Sequence, residues 1–503
     1  MTEVNTQLYI DGEYRPAESN RRYGIYNPAR PSELVGYAAA ATKKDVEEAV
    51  QAAHAAFPAW SGLGYTRRAE LLRQIGYALT ADEDEVNYRS QLFCREHGKI
   101  LRETHLEISR LGERFFQCAN YADRLAADEL LEGPPFDTLI SRQPRGVAAL
   151  IVPWNWPLAI LGCKLPQALI TGNTVVVKPA NYSALTPTIT LRKIAELLPP
   201  GVLNVVTGSS SEIGDPLVGH SLVRKVNFTG SVEVGRHVMK VAAENITPVT
   251  LELGGNDPGI ILEDALLDEA AFKRLYLGAF MSTGQICMAL KRLYVHRSRY
   301  DEVVAGLIAE CNRQIVGDGL LPETTMGPMN NKKQLNLVKG MIAQARQAGA
   351  EVIELGQVVD QELYTHGYFQ RPTLVVNPAH HLDVVQEEQF GPVLPIIPFD
   401  TEEEVISWAN DSVFGLCSSV WSQDISRAVT LSRQIQAGYT YLNAHGPSAQ
   451  DGRGPFGGFK QSGIGRNMGY EGTIAFQGYH CISAPNNSTG ALMPFSNKSL
   501  FDI

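Results

Sequence analysis

Several short stretches of the chain combine residue types that could do chemistry. In STGQICMALKR, residues 282–292, Cys287 lies in a polar, glycine-containing approach to an apolar run. A nucleophilic thiol needs an accessible position and a pKa below its free value of about 8.5. Lys291 and Arg292 are cationic neighbours in sequence, which does not by itself bring them to the sulfur. The plain alternative is a buried cysteine acting as a small hydrophobe. In LELGG, residues 251–255, Glu252 follows apolar residues. Desolvation raises a carboxylate pKa there, the direction a general base working near neutral pH requires. A turn or capping glutamate is the alternative. In PWNWP, residues 153–157, two tryptophans and two prolines hold Asn155 in a stiff turn. An amide fixed this way can donate to a developing oxyanion, or simply cap its own backbone.

Two further stretches suit a phosphate-bearing ligand. VVVKPA places Lys178 just past a strand end, where doubly wound sheets bind ligands. There it could meet a ribose diol or a phosphate, or only solvent. FTGSVEVG runs from a strand into a turn with Gly230 and Gly235, then a helix. Glycines there allow backbone amides at a helix N-terminus to approach a pyrophosphate. The turn is not the GxGxxG fingerprint.

The elements around these residues read as α/β. Strands are expected at 147–152, 174–177, 202–206, 225–228 and 249–253, from short β-branched runs. The segment 183–198 reads as a helix capped by Thr186, with Pro187 in the first turn and Pro199, Pro200 and Gly201 as stop. In residues 45–57, Val46, Ala49, Val50, Ala53 and Phe57 form one helical stripe. A second alternation spans about 270–435, with RLYVH, EVIEL, TLVVN and VLPIIPF as strands. Strands alternating with helices imply parallel βαβ units, here two doubly wound parallel-sheet domains. The Pro/Gly-rich segment 130–146 breaks the pattern and reads as a projecting hairpin.

Composition narrows the function classes. The 503 residues are 44% hydrophobic and 19% charged, enough apolar material to build cores and exclude a disordered chain. The net charge of −10 argues against a nucleic-acid binder. The most apolar stretch, 146–162, carries Pro153, Asn155 and Pro157 and is too short for a bilayer span. No secretory signal opens the chain, so a soluble cytoplasmic protein is expected. The seven cysteines, Cys94, Cys118, Cys163, Cys287, Cys311, Cys417 and Cys481, form no CxxC pair. Free thiols, without metal or disulfide, fit best.

Taken in order, PWNWP, KPA, FTGSxxxG, ELGG, GQxCxAxxR, EExFGPV and PFGGxKxSGxGR occur between residues 153 and 466. In these motifs, and from about Leu8 to Gly472, the chain resembles the NAD(P)-dependent aldehyde dehydrogenase superfamily. The resemblance implies that Cys287 attacks the aldehyde to give a thiohemiacetal. Asn155 and the Cys287 amide would hold the oxyanion. Glu252 would activate water to hydrolyse the thioester and help deprotonate Cys287. It implies NAD binding by Val152, Trp154, Lys178, Gly230, Ser231, Gly235, Glu388 and Phe390. One position departs from many NAD-preferring relatives, which carry a glutamate where this chain has Asn181. The neutral amide removes repulsion of a 2′-phosphate, making NADP plausible beside NAD.

By position, Trp156, Ile160, Cys163, Ile286, Met288 and the loop 444–453 would surround the substrate, with His445 or Arg453 meeting a substrate hydroxyl or carboxylate or, as loop polars, simply facing solvent. The mostly apolar set suits aromatic or medium-chain aliphatic aldehydes. The resemblance divides the chain into a cofactor domain (1–129 and 147–253), a catalytic domain (254–470), an oligomerisation element (130–146 and 471–490) and a tail (491–503). It implies a homodimer or homotetramer, with 475–482 extending a partner's sheet. Alternatives are a CoA-acylating semialdehyde dehydrogenase, against which Glu252 argues, a cofactor-free thiol esterase, and a non-catalytic binding or structural protein on the same fold.

Overall fold

A computed structural model describes residues 3–133 and 136–485. The tail 491–503, residues 486–490 and the hairpin positions 134–135 therefore lie outside the described residues. The first large sheet has eight strands. At its centre Val147–Ile151 pairs in parallel with Thr174–Lys178 on one side and Val223–Thr229 on the other. Leu203–Val205 and Val249–Glu252 continue the two directions. The chain thus winds outward both ways from Val147–Ile151, and the gap beside that strand is the topological switch point where such sheets bind ligands. Short antiparallel strands, Leu8–Ile10 with Glu13–Arg15 and Gly463–Ile464, close the edges. Strands covered on both faces must be apolar throughout, which is why VAALI and TVVVK are buried at every position.

The second sheet has seven strands in the order 351–354, 373–376, 393–399, 290–296, 257–261, 417–421, 439–442. All its pairs are parallel except the edge strand Glu351–Glu354. A three-stranded sheet joins Glu129–Leu131, Phe136–Pro144 and Gln477–Pro485, the last pair in antiparallel register from Gln477 opposite Pro144 to Pro485 opposite Phe136. The architecture is α/β with two parallel-sheet bodies and this small β element. Among the described residues no helix is long and apolar enough to cross a membrane.

The helix containing the Val46 stripe runs Lys43–Ser61. Thr42 and Asp45 exchange side-chain and backbone hydrogen bonds at its start, a capping box. The helix expected over 183–198 runs Leu185–Ala195, after a short turn Asn181–Ser183. Thr186 is not its cap. The N–H groups of Leu185 and Thr186 instead donate to the carboxylate of Glu96, at 2.9 and 2.7 Å. An ionised group satisfies two end amides where a hydroxyl satisfies one, so the distant glutamate displaces the local threonine.

Glu96 belongs to the helix Glu83–His97, which leads into Leu101–Ala119. The second helix carries the buried Glu107. It accepts from the N–H groups of Leu158 (2.8 Å) and Ala159 (2.9 Å), and pairs with the buried Lys99 at 2.5 Å. Removing one partner of a buried ion pair costs about 3–5 kcal/mol. Glu107→Ala should therefore lower the denaturant midpoint by that equivalent. Glu107→Gln, which keeps an acceptor for the amides, should lose less. Urea titration followed by tryptophan fluorescence checks the order.

Candidate active site

The catalytic candidates converge where the two large sheets meet. Glu252 is the last residue of its strand, and Leu253 to Asn256 carry the chain directly into the second sheet at Asp257. Asn155 follows the central strand Val147–Ile151. Cys287 lies between the turn Met281–Gly284 and the strand Leu290–His296. All three line one cavity of about 250 Å³, with Trp156, Ile160, Cys163, Ile286 and Met288 on its apolar wall.

Each group is held for a physical reason. The Asn155 side-chain nitrogen donates to the Gln285 carbonyl at 2.9 Å, spending one of its two amide hydrogens. The Cys287 backbone N–H makes no hydrogen bond among the described residues. Two donors are therefore unspent among the described residues that line the cavity with the thiol. That thiol is only 9% exposed, and burial pushes its pKa well above the ordinary value. The Glu252 charge raises it further, while Lys291 opposes the rise. The Lys291 ammonium donates to the carbonyls of Ile286 (2.8 Å) and Cys287 (2.5 Å), so it is the cation built into the cysteine loop. Arg292 points elsewhere, to the carbonyls of Asn256, Trp408 and Ala409. Glu252 is buried, and one of its carboxylate oxygens has no hydrogen-bond partner. Desolvation raises its pKa, and the buried Lys164 partly offsets that rise.

Lys164 was not visible as a functional candidate in the sequence. It is fully buried and donates to the Asn227 side chain, whose amide donates in turn to Asn467 at 2.8 Å. Asn467 lines the cavity. Arg110 and Arg114 also line it and were likewise missed. The available signals were a lysine inside an otherwise apolar helical segment and two arginines four residues apart on one helix.

The loop 444–453 contributes Pro447, Ser448 and Gln450 to the cavity but not the two residues expected from it. His445 is buried behind the wall. Its Nδ1 sits 2.8 Å from the Ser419 hydroxyl and its Nε2 3.9 Å from Asp257, and burial lowers its pKa to about 3. Arg453 is exposed and paired with Asp451 at 2.6 Å. Neither lines the substrate cavity, because loop composition alone does not tell which polar residues turn inward.

The nucleotide candidates cluster at the switch point. Lys178 ends its strand, and its neighbour Val152 donates its N–H to the Lys178 carbonyl at 3.2 Å. The buried Lys178 ammonium has no ion pair or hydrogen bond among the described residues, and desolvation lowers its pKa to about 8. Asn181 nearby in sequence has a buried carbonyl oxygen without partner. Ser231 caps the helix Val232–Ala243 by accepting from Val234. A Cβ on Gly230, in the turn, would come within 2.4 Å of the Phe228 ring, and one on Gly235, in the helix, within 2.6 Å of the Leu253 side chain, so a larger residue at either position would require those side chains to move. Glu388 accepts from the Gly255 N–H at 3.0 Å and sits 3.5 Å from Lys291. Trp154 and Phe390 meet edge to face, ring centroids 5.5 Å apart. An unpaired cation, a glycine turn at a capped helix N-terminus and an aromatic pair are what a dinucleotide needs.

Fold and site together are those of an α/β oxidoreductase. The profile of the aldehyde dehydrogenase family matches residues 14–480. The chain is 34% identical over 477 residues to 3,6-anhydro-alpha-L-galactose dehydrogenase of Vibrio sp. (strain EJY3), covering 94% of this chain and 97% of that relative. Among solved structures it is similar to betaine aldehyde dehydrogenase of Staphylococcus aureus in complex with NAD+. That match has TM-score 0.89 and 32% identity, and covers 98% of this chain and 97% of that one. It is also similar to an NADP dependent enzyme of E. coli, with TM-score 0.90, 32% identity and coverage of 96% and 98%. The chain belongs to the aldehyde dehydrogenase family.

Lys291 supplies a direct test of the thiol's electrostatics. Lys291→Met removes the cation that lowers the Cys287 pKa. A pKa rise of one unit would cut the thiolate fraction, and alkylation by iodoacetamide at pH 7.5, by about tenfold. Lys291→Arg should retain part of the rate.

Proposed function

We propose that the protein oxidises an aldehyde to a carboxylic acid with NAD(P)+, through Cys287. The observation that carries this reading is one cavity lined by Cys287, Asn155 and Glu252, with an unspent amide donor at the thiol. The Cys287 sulfur adds to the aldehyde carbon as its proton passes to Glu252, which then releases it to solvent, making a carbon–sulfur bond and an oxyanion. Asn155 and the Cys287 N–H receive that oxyanion. NAD(P)+, when bound, would supply the hydride acceptor that turns this adduct into a thioester on Cys287. Glu252 then takes a proton from water, which attacks the thioester, and Cys287 departs as the leaving group. The raised Glu252 pKa supports the role of a base that exchanges protons near neutrality. Lys178, Asn181, the turn Gly230–Ser231 with Gly235, Glu388, and Val152, Trp154 and Phe390 would hold the cofactor.

Trp156, Ile160, Cys163, Ile286 and Met288 support an aromatic or medium-chain aliphatic substrate. The exposed Leu131, Phe136, Tyr479 and Ile482 on the three-stranded sheet support assembly into a dimer or tetramer. The carboxylate at Glu252 favours release by water over release by CoA. Absorbance at 340 nm with an aldehyde panel, with and without CoA, tests the reading. Turnover without CoA is expected, and no NAD(P)H from any aldehyde would overturn it. Asn155→Ala should lose about 10²–10³ in kcat. Glu252→Gln should give one burst of NADH and then stall.

No carboxylate acts on Lys178 and the residue at 181 is neutral, which supports use of NADP+ as well as NAD+. The Lys178 ammonium is charged below about pH 8 and neutral above it. NADP+ binding should therefore weaken as pH rises through 8, by at most about tenfold per pH unit for one proton. Fluorescence titration of the wild type and Lys178→Met, in which the pH step should vanish, checks this.

A further inference from the structure

The cavity lining combines an apolar wall with polar and charged residues, two of them arginines. Arg110 and Arg114 lie one turn apart on the helix Leu101–Ala119, so their side chains share a face. Arg110 has no ion pair or hydrogen bond among the described residues. Arg114 donates to a neutral partner, the Gln117 side-chain oxygen, at 3.1 Å, and the acid that interacts with it by charge, Asp451, is already paired with Arg453. The carboxylates that also line the cavity are already engaged. Glu107 serves Lys99 and two backbone amides, and Glu252 faces Lys164. The same cavity holds a third free donor: the Gln450 side-chain nitrogen, on the cavity-lining loop, is buried without a partner among the described residues. The loop has no side chain where the guanidinium lies, since a Cβ on Gly452 would come within 1.9 Å of the Arg114 Nη1. Two cations and an unpartnered amide, all donors, thus line the same cavity as the thiol.

We propose that the substrate of this site carries an anionic group, a carboxylate, at the end remote from its aldehyde, and that Arg110 and Arg114 bind it. This rests on the reading of Cys287 as the aldehyde-binding nucleophile and sharpens the substrate class to an aliphatic aldehyde acid. Guanidinium pairs favour carboxylates through parallel hydrogen bonds. The apolar wall of Ile160, Ile286, Met288 and Trp156 takes the methylene chain between the two ends.

The test compares succinic and glutaric semialdehydes with butanal and pentanal, for the wild type and for Arg110→Gln, Arg114→Gln, the double variant and Arg114→Lys. For the wild type, kcat/KM should favour the acids by about tenfold or more, the effect of one charged contact of about 1.4 kcal/mol. That preference should shrink as salt rises. The double variant should lose the preference mainly through KM for the acids, and Arg114→Lys should restore part of it. Arg453→Gln, on the exposed loop away from the cavity, should leave the acid-to-neutral ratio as in the wild type. Neutral aldehydes turned over as well as the acids, with a ratio indifferent to Arg110 and Arg114, would overturn this inference and leave the aldehyde dehydrogenase reading intact. Failure to oxidise any aldehyde of either kind would overturn that reading itself. Matched thermal melts separate a lost contact from a lost fold: a variant that loses the ratio at unchanged melting temperature supports the proposal.

Discussion

Three buried carboxylates on one helical hairpin hold the backbone from which the site is built. Glu96 takes the N–H groups of Leu185 and Thr186, Glu103 takes that of Ser282, and Glu107 takes those of Leu158 and Ala159. Those amides belong to the segments that follow Lys178, lead to Cys287 and follow Asn155. Burying a carboxylate is costly, and the cost shows in Glu96 and Glu103, whose pKa values burial raises, to about 7 for Glu96. Amides at the start of a helix carry partial positive charge and are otherwise unsatisfied, so they offset it. The exchange fixes direction as well as energy. A helix whose first amides are fastened to a rigid neighbour cannot rotate without exposing both partners, and the loop before it is fixed too.

The same logic of buried charge runs through the site. Glu252 is balanced by Lys164 and Glu388 by Lys291, while Lys178 has no counter-charge. The balanced groups can move protons without a large change in net charge. The unbalanced one is a cation whose partner must arrive from solvent. Cys287 sits between these cases, with burial and Glu252 opposing its ionisation and Lys291 favouring it. A thiol kept protonated at rest is protected from solvent electrophiles.

Much of this was legible in the sequence, for identifiable reasons. The central parallel strands announce themselves because a strand buried on both faces reads as a near-continuous apolar run, as at Val147–Ile151 and Val175–Val177. The strands Asp257–Ile261, Cys417–Trp421 and Tyr439–Leu442 were missed. Proline and glycine in the first, and serines in the second, read locally as turns. Their place in the sheet is set by long-range pairing, such as Gly259 with Ser419. The Glu96 cap could not be seen because its partners lie about ninety residues away, and a hydroxyl at Thr186 offered a nearer answer. Asn155, Glu252 and Cys287 share one cavity although four strands of the first sheet lie between the first and last in sequence. His445 went the other way: a polar residue in a polar loop looked accessible, and its ring is packed against Tyr441 with its nitrogens facing Ser419 and Asp257.

The net charge of −10 gave no hint of how many cations the site collects. Lys178, Lys164 and Lys291 are all buried. A charge interacts far more strongly in the protein interior than at a screened surface, so a few buried lysines outweigh a larger number of exposed acids. Surface charge governs solubility and encounter, and the site's selectivity is set locally. Arg110 and Arg453 illustrate the division. Both are exposed arginines, Arg110 lining the cavity and Arg453 outside it; Arg453 is paired with Asp451 two residues away, and Arg110 has no ion pair among the described residues. What distinguishes them is the presence of an acid within reach. An inventory of charges becomes a statement about function only after each has been paired, and the groups left over are those a ligand must satisfy.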